Sequence, residues 1–166
     1  MTEDFTGRVA LVTGGGNGIG AATCRAFAAA GARVAVLDRD MAAAEAVAAQ
    51  ITGGNGHAVA YSLDVADRDA FARLTEGIAE ASGGIDILVN GAGTTARRMI
   101  AEMSAQDWER LIAVNLTGAF NGIQGYCRIC ERGVAAPSST SPRSPGNAFP
   151  SAEPRTIRRP RLAFWA

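Results

Sequence analysis

A run of glycines is the first feature of the sequence that could do chemistry. Residues 13–20 read Thr-Gly-Gly-Gly-Asn-Gly-Ile-Gly and lie between an apolar run, Val9 to Val12, and a helical pattern that begins at Ile19. The free amides at a helix start bind phosphate groups, and glycine lets the backbone approach them without a side-chain clash. Glycine is also the ordinary residue of turns. The order strand, turn, helix nevertheless favours a pyrophosphate site.

Asp38 is the second candidate, because it ends the next apolar run, 24 residues after Gly14. Dinucleotide-binding folds place a carboxylate there, which accepts hydrogen bonds from the ribose hydroxyls. Its charge would repel the 2′-phosphate of NADP, whereas the adjacent Arg39 could bind that phosphate. We therefore predict NAD as the cofactor and keep NADP as the alternative.

Asn115 is a polar residue in an apolar helical stripe. Trp108, Leu111 and Ile112 occupy positions i, i+3 and i+4 of the stripe, and Asn115 occupies i+7. The pattern predicts an amide that faces the interior, where an unpaired polar group costs about 1 to 3 kcal/mol. Taken on its own, the residue is best interpreted as a hydrogen-bonded asparagine of the core.

The rest of the sequence predicts the scaffold that positions these residues. Short apolar runs alternate with stretches of helical periodicity. The predicted strands are Val9–Val12, Val34–Leu37, His57–Ser62 and Ile85–Val89. The predicted helices are Ile19–Ala30, Met41–Ile51, one whose face is marked by Phe71, Leu74, Ile78 and Ala81 and which ends at Gly83-Gly84, and a segment from about Ala105. This alternation requires right-handed crossovers and a parallel sheet, so we predict a doubly wound, Rossmann-like α/β fold.

The composition changes near residue 126, where the alternation ends. All six prolines lie in the last 40 residues, whereas 18 of the 20 glycines lie before residue 127. Residues 1–126 hold 9 arginines against 14 acidic residues, whereas residues 127–166 hold 7 against 2. We interpret residues 1–126 as an incomplete NAD-binding domain, truncated after its fourth strand, and residues 127–166 as a disordered tail rich in Pro, Ser and Arg.

The tail is not expected to complete the sheet. Its six prolines lack the amide donors of a sheet ladder, so the fourth strand should keep an exposed hydrophobic edge. We therefore expect poor solubility and poor assembly. A shifted reading frame beyond about codon 126 and a fused tail would each explain the join.

Three further motifs point to a known family. The glycine run resembles the Thr-Gly-x-x-x-Gly-x-Gly motif of short-chain dehydrogenases/reductases, and the match covers residues 5 to about 125. Asp64-Val65 resembles the family's adenine-contacting pair, residues 90–93 resemble its Asn-Asn-Ala-Gly motif, and residues 114–118 resemble its Val-Asn-x-x-Gly helix motif. The cofactor-binding residues implied by the resemblance are Gly14, Asn17, Gly18, Ile19, Gly20, Asp38, Asp64, Val65, Asn90, Gly91 and Ala92.

The resemblance also implies an activity, namely hydride transfer between nicotinamide and a secondary alcohol or ketone in full-length, homo-oligomeric relatives. It makes Asn115 a catalytic residue that supports a proton-relay water. The family's Ser and Tyr-x-x-x-Lys do not occur here: all 16 basic residues are arginine, and Tyr126 is followed at +4 by Cys130. We expect this chain to lack turnover. The alternative is a nucleotide-binding fragment with a regulatory or interaction role.

Composition disfavours other classes of protein. The 16 basic and 16 acidic residues cancel, so net charge favours neither nucleic acid nor membrane partners. No apolar run approaches the roughly 18 residues of a membrane span. The first residues do not resemble a secretory signal and the three cysteines are an odd number, so we expect a cytoplasmic protein.

Two remaining features are kept as alternatives. Cys127 and Cys130 could form half of a zinc site, but His57 is the single histidine, so we expect no metal. The arginine-rich segment 155–161 could act as a basic arm for nucleic acid. No nucleic-acid-binding module accompanies it, and we expect no nucleic-acid partner.

Overall fold

A parallel sheet of five strands organises the chain. The computed structural model describes residues 4–132 and, as backbone, residues 161–164. The strands are β1 (Val9–Thr13), β2 (Arg33–Asp38), β3 (His57–Ser62), β4 (Ile87–Asn90) and β5 (Arg161–Phe164). Their order is β3-β2-β1-β4-β5, and all neighbours are parallel. The predicted Rossmann-like α/β class is confirmed.

The structure describes five α-helices, of which three connect the first four strands and two follow β4. They are α1 (Gly18–Ala29), α2 (Met41–Gly53), α3 (Arg68–Ser82), α4 (Ala105–Ile112) and α5 (Gly118–Glu131). A 3-10 turn, Ile100–Glu102, precedes α4, and a π-helical segment, Ala113–Thr117, joins α4 to α5. Each predicted helix is present, with small shifts at its ends. None of the described helices has both the length and the hydropathy to cross a membrane.

The side chains of the sheet alternate between two cores. In β1, Ala10 and Val12 pack with apolar residues of α1 and α2, whereas Leu11 packs on the opposite face with residues of α3 and α5. All three side chains are fully buried. Because the central strands are buried on both faces, their sequences are uncharged apolar runs and do not alternate between polar and apolar residues. The two layers hold the carboxyl ends of the strands in fixed positions.

The helix α5 continues past residue 126, where the sequence predicts the end of the folded domain. Tyr126 is 2% exposed, and its hydroxyl donates to the Asp86 carbonyl at 2.8 Å. Ile129 extends the same buried face. The predicted boundary at 126 is therefore too early, because apolar positions of α5 keep contacting the core up to its last turn.

The strand β5 lies along the outer edge of β4, with Arg161 opposite Ile87 and Phe164 opposite Asn90. This corrects the expectation that the tail leaves the edge of the fourth strand open. Pro160 is the last of the six prolines, so the residues after it keep the amide donors that a ladder needs. The rest of the predicted disordered tail, residues 133–160 and 165–166, lies outside the described residues.

Candidate functional site

A cleft of about 600 Å³ opens at the carboxyl ends of the central strands. The chain leaves β1 toward β2 on one side and β4 lies on the other, the arrangement that creates a ligand crevice in doubly wound sheets. The lining residues are Gly14, Asn17, Gly18, Ile19, Gly20, Asp38, Arg39, Leu63, Asp64, Val65, Gly91, Ala92, Gly93, Thr94, Arg110 and Val114. Every predicted cofactor residue except Asn90 is therefore brought to this one cleft.

At two positions of the turn after β1, neighbouring backbone atoms leave no space for a side chain, so only glycine fits. A Cβ on Gly14 would lie 2.8 Å from Ala92 Cα, and a Cβ on Gly20 would overlap the Gly14 carbonyl oxygen. Gly14 also has a φ of +65°, where other residues are strained. The turn, the start of α1 and the loop after β4 thus pack backbone against backbone. At Gly14 and Gly20 the main chain itself therefore borders the cleft.

The start of α1 offers amide donors to the cleft. The Asn17 side chain caps the helix and accepts from the Gly18 amide at 2.7 Å. The Ala21 amide donates to the Asn17 carbonyl at 3.1 Å. The amides of Ile19 and Gly20 precede that bond and are the donors with which a helix start binds an anion. The positive end of the helix dipole adds to the attraction.

Asp38 lies at the end of β2, against the glycine turn. Its carboxylate accepts from the Gly16 amide at 2.9 Å and from the Asp40 amide at 3.0 Å. These two hydrogen bonds hold the carboxylate at the cleft, where Arg39 is a neighbouring lining residue. One negative and one positive side chain therefore stand next to each other at this end of the cleft.

Thr13 is a residue of the site that the sequence reasoning missed. Its hydroxyl accepts from the amides of Gly91 at 3.1 Å and Ala92 at 3.2 Å, and it donates to the Val89 carbonyl at 3.4 Å. The side chain is 1% exposed. Thr13 thereby holds the loop after β4 against the turn after β1. Thr13 is the first residue of the glycine motif, and that position was the signal that could have identified it as part of the site.

Asp64 and Val65 form the wall of the cleft after β3, and α5 supports that wall. The Asn121 amide group donates to the Val65 carbonyl at 2.9 Å. Asn90 lies behind the cleft instead of lining it. Its Oδ1 is buried with no hydrogen-bond partner among the described residues, and a Cβ on Gly122 would overlap it. Asn90 therefore contacts α5 closely at the end of β4.

Asn115 does not face the interior, which corrects the interpretation of the stripe. It is exposed, its Oδ1 accepts from the Thr94 amide at 2.8 Å, and its Nδ2 donates to the Thr94 carbonyl at 2.9 Å. No residue of α4 is buried, and Trp108 is 54% exposed. The π-helical segment widens the turn after Ile112, so position i+7 leaves the face that Trp108 begins. Asn115 joins this segment to the loop after β4.

Tyr126 and the buried cysteine lie outside the cleft lining. The Tyr126 hydroxyl bonds beside the amino end of β4, and burial raises its pKa above the ordinary value. Burial raises the pKa of the Cys24 thiol to about 12, and its Sγ lies 4.0 Å from the Gly15 carbonyl oxygen. Cys127 and Cys130 are free thiols on α5. Within residues 4–132, no group of three His, Cys, Asp or Glu could hold a metal ion.

Known proteins resemble this chain over the part that builds the cleft. A D-threitol dehydrogenase from Mycolicibacterium smegmatis is 45% identical over 114 residues, which are 69% of this chain and 44% of that protein. A 3-oxoacyl-acyl-carrier-protein reductase from Synechocystis is 41% identical over 117 residues, 70% of this chain and 47% of that protein. The chain spans about half the length of the curated relatives it matches.

Solved structures give the same result. The crystal structure of a short chain dehydrogenase from Mycobacterium avium superposes with a TM-score of 0.73 at 41% identity, and covers 76% of this chain and 47% of its own. The family described as short chain dehydrogenase matches residues 8–135. The likeness therefore extends past the predicted boundary at residue 126. Because that match spans well over half of the sequence, the chain belongs to the short-chain dehydrogenase family.

Proposed function

We propose that this chain binds NAD(H) in the cleft and that its 166 residues alone do not oxidise alcohols or reduce ketones. Members of the family bind nicotinamide cofactors. The observation that supports binding here is the convergence of the glycine turn, Asp38, Asp64 and the loop after β4 on one cleft. Its volume lies within the range of about 300 to 1,000 Å³ that is usual for ligand sites.

The lining fits the parts of a dinucleotide. The amides of Ile19 and Gly20 would hold the pyrophosphate, because they stand at a helix start and the three residues that follow β1 are glycines. Asp38 would accept from the ribose hydroxyls of the adenosine half, and Val65 would contact the adenine ring. When bound, the nicotinamide ring supplies or accepts a hydride.

The charges at the adenosine end support NAD over NADP. The Asp38 carboxylate is held in place by two backbone amides, so it cannot move aside without losing both bonds. A 2′-phosphate would bring close to two negative charges next to it. Arg39 lines the same end of the cleft. We propose that its attraction for the 2′-phosphate reduces the preference for NAD over NADP without reversing it.

The cofactor proposal is tested by calorimetric titration of NADH and NADPH into the whole chain. We expect tighter binding of NADH, and a smaller difference in the Asp38→Ala and Asp38→Asn variants. Asp69→Ala is the matched control, because it removes an exposed carboxylate from the first turn of α3 and leaves the cleft intact. Tighter binding of NADPH by the unaltered chain would refute the assignment.

The expected lack of turnover follows from the proton that carbonyl reduction requires. The negative charge that develops on the substrate oxygen must be neutralised by a positioned acid, whose loss costs about 10² to 10⁴ in rate. Tyr126 cannot supply the proton, because its hydroxyl is buried and bonded to the Asp86 carbonyl. The sequence has no lysine that could lower the pKa of a tyrosine. The Asn115 amide bonds to the Thr94 backbone and does not exchange protons near neutral pH.

Turnover is tested by NADH absorbance against a panel of small ketones and secondary alcohols, the substrate class we propose for full-length relatives. We expect rates equal to the buffer rate while calorimetry still detects bound NADH. This result would leave a nucleotide-binding role as the function of the chain. Robust turnover that Tyr126→Phe abolishes would contradict the proposal.

A further inference from the structure

We propose that the C-terminal segment Arg161–Phe164 is an intramolecular latch, a strand that closes the outer edge of β4. The pairing is parallel and runs along the whole of β4, from Ile87 opposite Arg161 to Asn90 opposite Phe164. The family match ends at residue 135, so the latch comes from a part of the chain that the family does not account for. The surface it occupies is the open edge of a buried strand.

The edge of β4 needs such a partner. Ile87, Leu88 and Val89 are apolar, and each is at most 7% exposed. Successive residues of a strand alternate in direction, so half of the backbone donors and acceptors of β4 point away from β1. Without a neighbour these groups form a template for pairing with other chains. β5 satisfies them within the same molecule.

The path of α5 favours pairing within one chain. Near its start, Gly122 lies against Asn90 at the carboxyl end of β4, and Tyr126, one turn later, bonds to Asp86 at the amino end. The helix therefore runs back along the sheet and ends at the side where a parallel β5 must begin. Residues 133–160 connect the two, so the crossover from β4 to β5 is longer than the dozen residues that parallel strands require.

The latch also reaches the cleft. Phe164 pairs with Asn90, and the next residues of the chain, Gly91 and Ala92, line the cleft and bond to Thr13. Thr13 thus holds the loop after β4 by hydrogen bonds. The same loop follows directly from β4, which β5 holds at its outer edge. We expect release of the latch to weaken cofactor binding several-fold, an expectation that rests on the proposed function.

The primary test does not depend on the cofactor. Hydrogen exchange followed by NMR is compared between the whole chain and a variant that ends at Pro160. We expect the β4 amides that point away from β1 to lose at least tenfold in protection, while the alternate β4 amides and those of Val34 and Val36 in β2 keep theirs. Equal protection of all β4 amides in both proteins would overturn the proposal.

A pair of proline substitutions covers the case in which the shortened chain fails to fold. Amide directions alternate along β5, so only one of Leu162 and Ala163 donates to β4. We expect one of Leu162→Pro and Ala163→Pro to reproduce the loss of protection and the other to resemble the whole chain. If neither variant changes the exchange of β4, the latch is refuted. NADH titration of the same variants then reports separately on the coupling to the cleft.

Discussion

The glycines of the chain differ in how much space surrounds the position of a Cβ atom. The space around Gly20 is filled by the Gly14 carbonyl, whereas Gly77, in the middle of α3, has no atom within 4 Å of the position its Cβ would take. The same substitution by alanine should therefore have opposite effects at the two positions. This contrast separates glycines that the cofactor turn requires from those that merely occur in helices.

We predict that Gly20→Ala lowers the free energy of unfolding by about 1 to 3 kcal/mol, the usual cost of overpacking, and abolishes measurable NADH binding. Gly77→Ala should raise stability by about 0.5 to 1 kcal/mol, because alanine reduces the entropy of the unfolded helix segment. Urea unfolding and NADH titration measure both effects. Normal NADH affinity in Gly20→Ala would contradict the backbone packing described for the turn.

The Cys24 thiol makes stability depend on alkaline pH. Its pKa in the folded protein is raised to about 12 by burial, against about 8.5 in an unfolded chain. Well below pH 8.5 the thiol is protonated in both the folded and the unfolded state, so the free energy of unfolding does not depend on its titration there. Between the two pKa values only the unfolded state releases the proton, so stability falls as pH rises.

We expect the unaltered chain to lose about 1.4 kcal/mol more stability than Cys24→Ala between pH 7.5 and 9.5. Urea unfolding at several pH values measures both curves, and their slopes are compared because the cavity in Cys24→Ala lowers its starting stability. Parallel curves would show that the thiol is accessible in the folded protein.

At the scale of elements, Thr13 couples β1 to the loop after β4. One buried hydroxyl accepts from two main-chain amides. The two amides belong to residues 78 and 79 positions away along the chain. The position of the loop in the cleft therefore depends on one side chain of a neighbouring strand.

We predict that Thr13→Val, which keeps the shape and removes the hydroxyl, lowers the free energy of unfolding by about 1 to 3 kcal/mol through the loss of its hydrogen bonds to the two amides and weakens NADH binding. Thr13→Ser is the control that keeps the hydroxyl. It should retain most of the NADH affinity, although it loses a buried methyl group. Thermal unfolding and NADH titration distinguish the two variants, and equal NADH affinity in both would refute the role of the hydroxyl.

At the scale of the whole molecule, α4, the π-helical segment and α5 each expose a large apolar side chain. Trp108, Leu116 and Phe120 are 54%, 64% and 53% exposed. Formal net charge is zero at pH 7, so electrostatic repulsion between copies is weak. Exposed apolar groups that form one patch mark a surface that associates.

We predict concentration-dependent self-association of the whole chain, measured by sedimentation velocity. The double variant Leu116→Arg with Phe120→Arg should sediment as a monomer at concentrations where the unaltered chain does not. Met41→Arg, which changes a partly exposed apolar residue at the start of α2, should behave like the unaltered chain. A monomer at all concentrations would contradict the prediction.

The sequence by itself determined the α/β class and most of the candidate site. Burial on both faces leaves uncharged strands, and the crossovers leave helical periodicity between them, so both are local patterns along the chain. The glycine turn and Asp38 follow consecutive strands, and the carboxyl ends of parallel strands meet at one edge of the sheet. The glycine turn and Asp38 could therefore be placed at one edge without coordinates, whereas Asp64, Val65, Gly91 and Ala92 came from the family resemblance. The structure brings these ten of the eleven predicted cofactor residues to one cleft.

Only the tertiary structure decided the rest, because it depends on contacts between distant residues. Thr13 bonds to Gly91, 78 residues away, and Asn115 bonds to Thr94 across a π-helical segment that periodicity does not reveal. The pairing of Arg161–Phe164 with β4 contradicts the prediction drawn from the composition of the tail. Composition averages over 40 residues, whereas a strand needs only four consecutive residues with free amides and an open edge to receive them.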